Sequence, residues 1–120
     1  MENMHCKIYI NTAKTVEDLR DGLEDFFGII PDRFFSFESD YFFLDIRENK
    51  ESDKEKANNE NDFLLFSFFL DVDILDTGKR EKYIHMISNL LEMLWENKYQ
   101  AIAACDFESE LPNSGGYMPG

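Results

Sequence analysis

The start of the chain shows two hydrophobic periods, one typical of a strand and one typical of a helix. In Cys6–Ile10 apolar and polar residues alternate, which predicts a first β-strand. Thr15 is a favourable N-cap, and Gly28 a favourable stop signal, so we predict a helix over Val16–Phe27. The apolar positions of this helix are Val16, Leu19, Leu23 and Phe26.

The segment from Arg33 to Glu48 is strand-like and rich in aromatic residues, but its period is broken. One parity holds Phe42, Leu44 and Ile46, and the other holds Phe35, Phe37, Tyr41 and Phe43. A regular strand cannot bury both sets on one face, because successive side chains point to opposite faces. We therefore predict a bulge or tight turn near Glu38–Asp40.

The segment Phe63–Leu75 has the strongest strand pattern in the chain. One face would carry Leu64, Phe66, Phe68, Leu70, Val72 and Ile74, and the other Phe63, Leu65, Ser67, Phe69, Asp71 and Asp73. Asp76–Gly78 ends this strand and can cap a second helix, which should end near Lys98. Gln100–Phe107 is an apolar run of small residues and predicts a final buried strand.

These elements follow the order β-α-β-β-α-β in one predicted domain, residues 1–120. This order matches the α+β class of ferredoxin-like, or split βαβ, folds, with a four-stranded antiparallel sheet and two helices on one face. Right-handed crossovers would place the first and last strands side by side near the middle. We predict that residues 49–62 form a charged, mobile loop and that residues 108–120 form a C-terminal loop and tail.

The charge of the chain narrows the class of partner. Twenty-five acidic residues against twelve basic ones give a formal net charge of -13, yet the chain is 43% hydrophobic and can fold around a core. A negative surface repels nucleic acid and anionic membranes, and it attracts basic proteins. We therefore expect a protein partner, with neither nucleic acid nor a membrane as the target.

The location and the redox state of the chain follow from its N-terminus and its cysteines. Residues 1–5 show neither a basic leader nor an apolar signal region, and the apolar run Phe63–Leu70 is too short to span a bilayer, so we expect a cytoplasmic protein.

Cys6 and Cys105 lack metal-ligand spacing. A disulfide between them is sterically feasible if the terminal strands pair, although a cytoplasmic chain favours free thiols.

The sheet face that the helices leave uncovered is the candidate interaction surface. It should carry His5, Lys7 and Tyr9 with the second parity of Phe63–Leu75, and either Phe35, Phe37 and Phe43 or Asp45 and Arg47. Exposed apolar area of this kind is typical of interaction sites. A partner protein, a second copy of the chain, or the loop and tail folding back could each cover it.

Signals for catalysis are weak. We find no nucleophile triad, phosphate loop or metal-binding motif, and we predict no catalytic residue, no metal and no cofactor. Asp45, Asp71, Asp73 and Asp106 could approach one another and hold Mg²⁺ or Ca²⁺, but their spacing is not diagnostic. Stacking of RNA bases on the aromatic residues is disfavoured, because Phe63–Leu75 contains no Lys or Arg to meet phosphates.

Two segments carry a resemblance to a known kind of protein. They are Ala103–Pro112, followed by Gly115–Tyr117, and Leu44–Asn49, which precedes a charged loop and an aromatic strand. Together they resemble the small acidic immunity proteins of bacterial polymorphic or contact-dependent toxin systems. The resemblance implies a protein that binds and blocks a cognate toxin domain, often a basic nuclease.

Charge and anchoring suggest which residues would contact such a partner. Aspartates would meet its cationic surface, and aromatic rings would serve as anchors. Acidic residues of the loop, Glu51, Asp53, Glu55, Glu60 and Asp62, could add long-range attraction. A self-associating accessory domain, or an acid-cluster metal-dependent enzyme, stays as the alternative. The predicted partner-binding residues are Tyr9, Asp45, Phe63, Phe69, Asp71 and Asp73.

Overall fold

The computed structural model describes residues 3–50, 52 and 60–117. Most of the predicted charged loop, 49–62, lies outside these residues. The strands are β1 (Cys6–Asn11), β2 (Ser36–Glu38), β3 (Phe42–Glu48), β4 (Phe68–Ile74), β5 (Gln100–Cys105) and β6 (Gly116–Tyr117). The helices are α1 (Val16–Phe27) and α2 (Arg80–Glu96), and a 3₁₀ helix spans Glu60–Leu65.

The strands form one antiparallel sheet in the order β2-β3-β4-β1-β5-β6. β1 lies between β4 and β5, so the first strand and the last long strand are neighbours. The predicted α+β class, with two helices and an antiparallel sheet, is confirmed. The predicted count of four strands is wrong, because the aromatic segment forms two strands and the C-terminal segment adds a short one.

Helix α1 has the predicted bounds because local hydrogen bonds fix both of its ends. The Thr15 hydroxyl accepts a bond from the Asp18 N–H at 3.2 Å, and the Asp18 carboxylate accepts one from the Thr15 N–H at 3.2 Å. This reciprocal pair is a capping box. At the other end Gly28 adopts a left-handed φ of 67° and donates to the Glu24 carbonyl at 2.8 Å.

The broken period of the aromatic segment is resolved by a hairpin. β2 and β3 pair antiparallel, with Phe37 opposite Leu44, and the Ser39 N–H closes the turn on the Phe42 carbonyl at 2.9 Å. The turn reverses the parity, so Phe37 lies on the core face together with Phe42. The predicted turn is therefore confirmed. The alternative that placed Phe37 on the uncovered face is wrong.

The strongest strand pattern is shorter than predicted. β4 begins at Phe68, and the 3₁₀ helix ends before it, at Leu65. The Asn49 side-chain amide donates to the Leu64 carbonyl at 2.9 Å and to the Phe66 carbonyl at 2.7 Å. These bonds satisfy backbone groups that a longer strand would have paired with its neighbour. Leu64, predicted to face the core, is 56% exposed.

The main core lies between the sheet and the two helices. Tyr83 of α2 is fully buried, and its hydroxyl donates to the Met4 carbonyl at 2.8 Å and the Val72 carbonyl at 3.2 Å. Phe66, predicted to pack under the helices, instead belongs to a smaller cluster on the other side of the sheet with Ile102. The strand residues beneath the helices include Cys6, Ile8, Ile10, Leu44, Leu70, Val72, Ala101 and Ala103.

Residues 108–117 of the predicted C-terminal loop and tail form short regular elements, and residues 118–120 lie outside the described residues. β5 ends at Cys105, and Phe107 packs into the core with its ring 6.0 Å from that of Tyr83. Two 3₁₀ turns then lead to β6, which pairs with β5. Gly115 has a φ of 85°, and a side chain there would meet the Ala103 carbonyl at 3.1 Å. Neither helix in the described part of the chain has the length and apolar character that a membrane crossing needs.

Candidate functional site

The candidate site is the sheet face opposite the helices, which we call the second face. Because side chains alternate along a strand, the residues between the core positions of β1, β3 and β4 point to this side. The 3₁₀ helix Glu60–Leu65 lies against β1 and covers part of it. The second face therefore combines strand side chains with one short covering segment. The strand residues on it include Lys7, Tyr9, Phe43, Asp45, Arg47, Phe69, Asp71 and Asp73.

An aromatic cluster occupies one part of the second face. The Tyr9 ring lies 5.3 Å from Phe63 in an edge-to-face arrangement and 5.8 Å from Phe69. Phe66 and Ile102 are buried, and Tyr9 and Phe63 pack against them. The three rings themselves are half-buried, so each keeps an accessible surface. We call Tyr9, Phe63 and Phe69 the aromatic cluster.

A carboxylate cluster, consisting of Asp45, Asp71 and Asp73, lies beside it. Asp45 and Asp71 stand directly opposite each other on β3 and β4. Like charges in directly opposed positions destabilise a sheet. Arg47 relieves this repulsion, because its guanidinium lies 3.1 Å from an Asp45 oxygen and 3.6 Å from an Asp71 oxygen.

Neighbouring side chains hold the two opposed carboxylates in position. The Ser36 hydroxyl of β2 donates to Asp45, and the His5 imidazole Nε2 contacts the second oxygen of Asp71. Asp45 and Asp71 are consequently partly buried, with side chains 19% and 25% exposed. Asp73 stands opposite Phe43 and is exposed. Two of the carboxylates are thus oriented by partners, and the third is open to solvent.

Basic residues make the second face mixed in charge. Lys7 stands opposite Asp71, and its ammonium lies 5.0 Å from the centre of the Phe69 ring. Lys7, Arg47 and Lys50 line a groove that also includes Tyr9 and Phe69. The negative charge of the whole protein is therefore not concentrated at the carboxylate cluster. Acidic, basic and aromatic groups alternate on the second face.

One arrangement on this face has the ligand types of a metal site. His5, Asp71 and Asp73 can each present one ligand atom, and these atoms lie within 4.8 Å of one another. Both oxygens of Asp71 already have a partner, in His5 and Arg47, so a cation would compete with these existing contacts for the carboxylate. Among the described residues, neither Asp45 nor Asp106 belongs to this group. The geometry permits an ion without supplying a preformed coordination shell.

The structure brings all six predicted partner-binding residues to the second face. Strand parity predicted the placement of five of them, whereas Phe63 reaches this face from the 3₁₀ helix and not from β4. The roles of Ser36 and Asn49 could not be predicted from the sequence. Each depends on a contact across the hairpin or with the 3₁₀ helix. The predicted residues are Tyr9, Phe63 and Phe69 in the first cluster and Asp45, Asp71 and Asp73 in the second.

Comparisons with models of protein families, with curated proteins and with solved structures found no match to this chain.

Proposed function

We propose that this protein is an immunity-type inhibitor, without catalytic activity of its own, that binds and neutralises a cognate basic toxin domain through the second face. The adjacency of the aromatic and carboxylate clusters on one sheet face carries this proposal. Half-buried aromatic rings are typical anchors of protein interfaces. Oriented carboxylates form charge-assisted hydrogen bonds with Arg and Lys side chains. Together the clusters suit a partner that presents both apolar and cationic groups.

Electrostatics would act at two distances. The net charge of -13 attracts a cationic protein from afar and raises the association rate. At contact, the long 3.6 Å approach of Arg47 to Asp71 leaves room for competition by a cation of the partner. The acidic residues of segment 49–62 would strengthen the long-range attraction. In this mechanism the aromatic cluster supplies most of the affinity and the carboxylates supply orientation.

A nuclease is the class of toxin that this chemistry favours. The groove of a nuclease binds phosphates through Lys and Arg side chains. Carboxylates placed in that groove occupy the same cationic partners and exclude the nucleic acid. The proposed place of action is the cytoplasm, where such a toxin would meet its substrate.

We also propose which α+β fold the chain adopts. We assign the chain to the ferredoxin-like arrangement, elaborated by β2 and β6. The spatial order of the four longer strands, β3-β4-β1-β5, supports this assignment. So does the placement of α1 after β1 and of α2 after β4. The elaborations are short strands that extend the two edges of the sheet.

Rescue of growth by co-expression tests the proposed function. The protein is co-expressed with the toxin domain encoded beside its gene, and the wild type should restore growth. Charge reversal by Asp71→Lys together with Asp73→Lys should weaken the rescue. The matched control is Glu92→Lys with Glu96→Lys, which makes the same change of net charge at exposed positions of α2. This control should rescue almost as well as the wild type.

Three results would contradict the proposal. The wild type could fail to rescue and to bind the neighbouring toxin domain, or the α2 control could lose rescue as completely as the second-face variant. A stable homodimer that buries the second face would instead support the self-associating alternative. Thermal unfolding of each variant shows whether lost rescue reflects lost folding.

A further inference from the structure

Two cysteines stand directly opposite each other on neighbouring strands. Cys6 of β1 pairs with Cys105 of β5 in the antiparallel register. Directly opposed residues of an antiparallel pair have Cα atoms about 4.5–5.5 Å apart. That separation lies inside the range of about 4.4–6.8 Å found in disulfides. Both thiols are free in the structure.

The two thiols lie in different environments. Cys6 is fully buried, whereas Cys105 is partly exposed at the end of β5. Interaction with the neighbouring Cys6 thiol lowers the pKa of the Cys105 thiol below its ordinary value, and the backbone of Phe107 adds to this effect. The same interaction, followed by burial, raises the pKa of Cys6. Of the two, Cys105 is therefore the thiol that can be reached from solvent and ionised.

We infer that Cys6 and Cys105 form a peroxide-reactive dithiol, in which Cys105 attacks the oxidant and Cys6 resolves the product. The Cys105 thiolate attacks one oxygen of hydrogen peroxide, the O–O bond breaks, and hydroxide leaves, giving a sulfenic acid. The Cys6 sulfur then attacks the Cys105 sulfur. The S–O bond breaks, and the Cys6 proton and the hydroxyl leave as water. The sulfurs are oxidised together by two electrons, and one peroxide is reduced to one hydroxide and one water.

The surroundings of Cys105 favour a neutral oxidant. Asp106 and Glu108 are exposed acidic neighbours whose charge raises the pKa of the Cys105 thiol, against the larger lowering by Cys6. Together with the net charge of -13, they repel an anionic oxidant such as glutathione disulfide. Hydrogen peroxide is small and uncharged and meets no such barrier. We therefore assign the site to peroxide rather than to exchange with glutathione.

The bond would join the first strand of the sheet to the last long one. The ring that it closes contains α1, β2, β3, β4 and α2, so nearly the whole fold lies within it. Cross-links that close long loops restrict the unfolded chain most. Oxidation should therefore raise the melting temperature reversibly, and reduction with dithiothreitol should restore the original value.

Mass spectrometry of the full-length protein tests this assignment. After treatment of the reduced wild type with hydrogen peroxide, we expect the loss of two hydrogens, a peptide that links Cys6 to Cys105, and a higher melting temperature. Cys6→Ala should leave a sulfenic acid on Cys105 that dimedone traps. Cys105→Ser should leave Cys6 unmodified. Glutathione disulfide at the same concentration should react more slowly than peroxide.

The mass and the linked peptide of the wild type test the site even if a variant fails to fold. A dimedone adduct on Cys105 with no intramolecular bond, or a dimer linked through Cys105, would overturn the resolving role of Cys6. Complete inertness of both thiols toward peroxide would overturn the site. A faster reaction with glutathione disulfide than with peroxide would overturn the assignment of the oxidant.

Discussion

Tyr83 shows how one side chain ties the helix layer to the sheet. It is fully buried on α2, and its hydroxyl donates to carbonyls of Met4 and Val72 at 2.8 and 3.2 Å. Tyr83→Phe keeps the ring and removes these bonds. We expect a loss of about 1–2 kcal/mol in the free energy of unfolding, measured by urea denaturation at pH 7. An unchanged stability would show that the bonds contribute nothing net.

The same residue gives a prediction about pH. Burial raises the pKa of the Tyr83 hydroxyl well above its ordinary value. Above about pH 10 the tyrosine ionises in the unfolded chain but stays protonated in the native one, so the unfolded state gains stability. Wild-type stability should therefore fall between about pH 9 and 11 more steeply than that of Tyr83→Phe. Equal slopes in urea unfolding across this window would contradict the prediction.

At the scale of residues, strand parity predicted most of the second face. Tyr9, Phe69 and Asp71 lie where the alternation places them. Phe37 shares its parity with Phe43 but lies on the core face, because the hairpin turn reverses the parity between β2 and β3. A pattern within one segment fixes which residues share a face. It cannot show which residues share a face once a turn separates two strands.

Asn49 decides where an element begins, because it links the end of β3 to the 3₁₀ helix. Its amide donates to carbonyls of Leu64 and Phe66 at 2.9 and 2.7 Å. Asn49→Ala should release the 3₁₀ helix from the second face and destabilise the protein by about 1–3 kcal/mol. Hydrogen exchange should become faster over residues 63–67. The control Asn89→Ala, at an exposed position of α2, should leave exchange there unchanged.

If Asn49→Ala leaves hydrogen exchange over residues 63–67 as slow as in the wild type, packing of Phe63 and Phe66 alone positions the segment. In that case the side-chain bonds of Asn49 would not determine where β4 begins.

At the scale of elements, local signals predicted more than long-range ones. The bounds of α1 followed from Thr15 and Gly28, since capping involves residues close in sequence. The predicted start of β4 was wrong. The alternating pattern continues back to Phe63, but Asn49, which is distant in sequence, bonds to the Leu64 carbonyl and the strand begins only at Phe68. The strand β6 was also missed, because it consists of two residues with no periodic pattern.

At the scale of the whole molecule, metal ions separate the binding role from an enzymatic one. An ion held by His5, Asp71 and Asp73 would bind the native state and raise the melting temperature with concentration. We expect Mg²⁺ and Ca²⁺ to give no shift beyond the screening that monovalent salt produces at equal ionic strength, because Asp71 is already paired. A saturable shift that Asp73→Asn abolishes would instead favour the metal-dependent enzyme.

Charge and anchoring should act on different rate constants of the proposed complex. The net charge of -13 should govern association, which should slow as salt is added. The aromatic cluster should govern dissociation, because its rings would be buried at the centre of the interface. The central claim is that the second face, rather than the general acidity of the protein, holds the toxin domain.

Binding kinetics of Tyr9→Ala with the neighbouring toxin domain test that claim most directly. The matched control is Tyr41→Ala, which removes another half-buried tyrosine away from the aromatic cluster. We predict that Tyr9→Ala weakens binding by about 30-fold or more, mainly through faster dissociation, and that the control stays within about threefold of the wild type. Wild-type binding by a folded Tyr9→Ala variant, or a larger loss in Tyr41→Ala, would contradict the account.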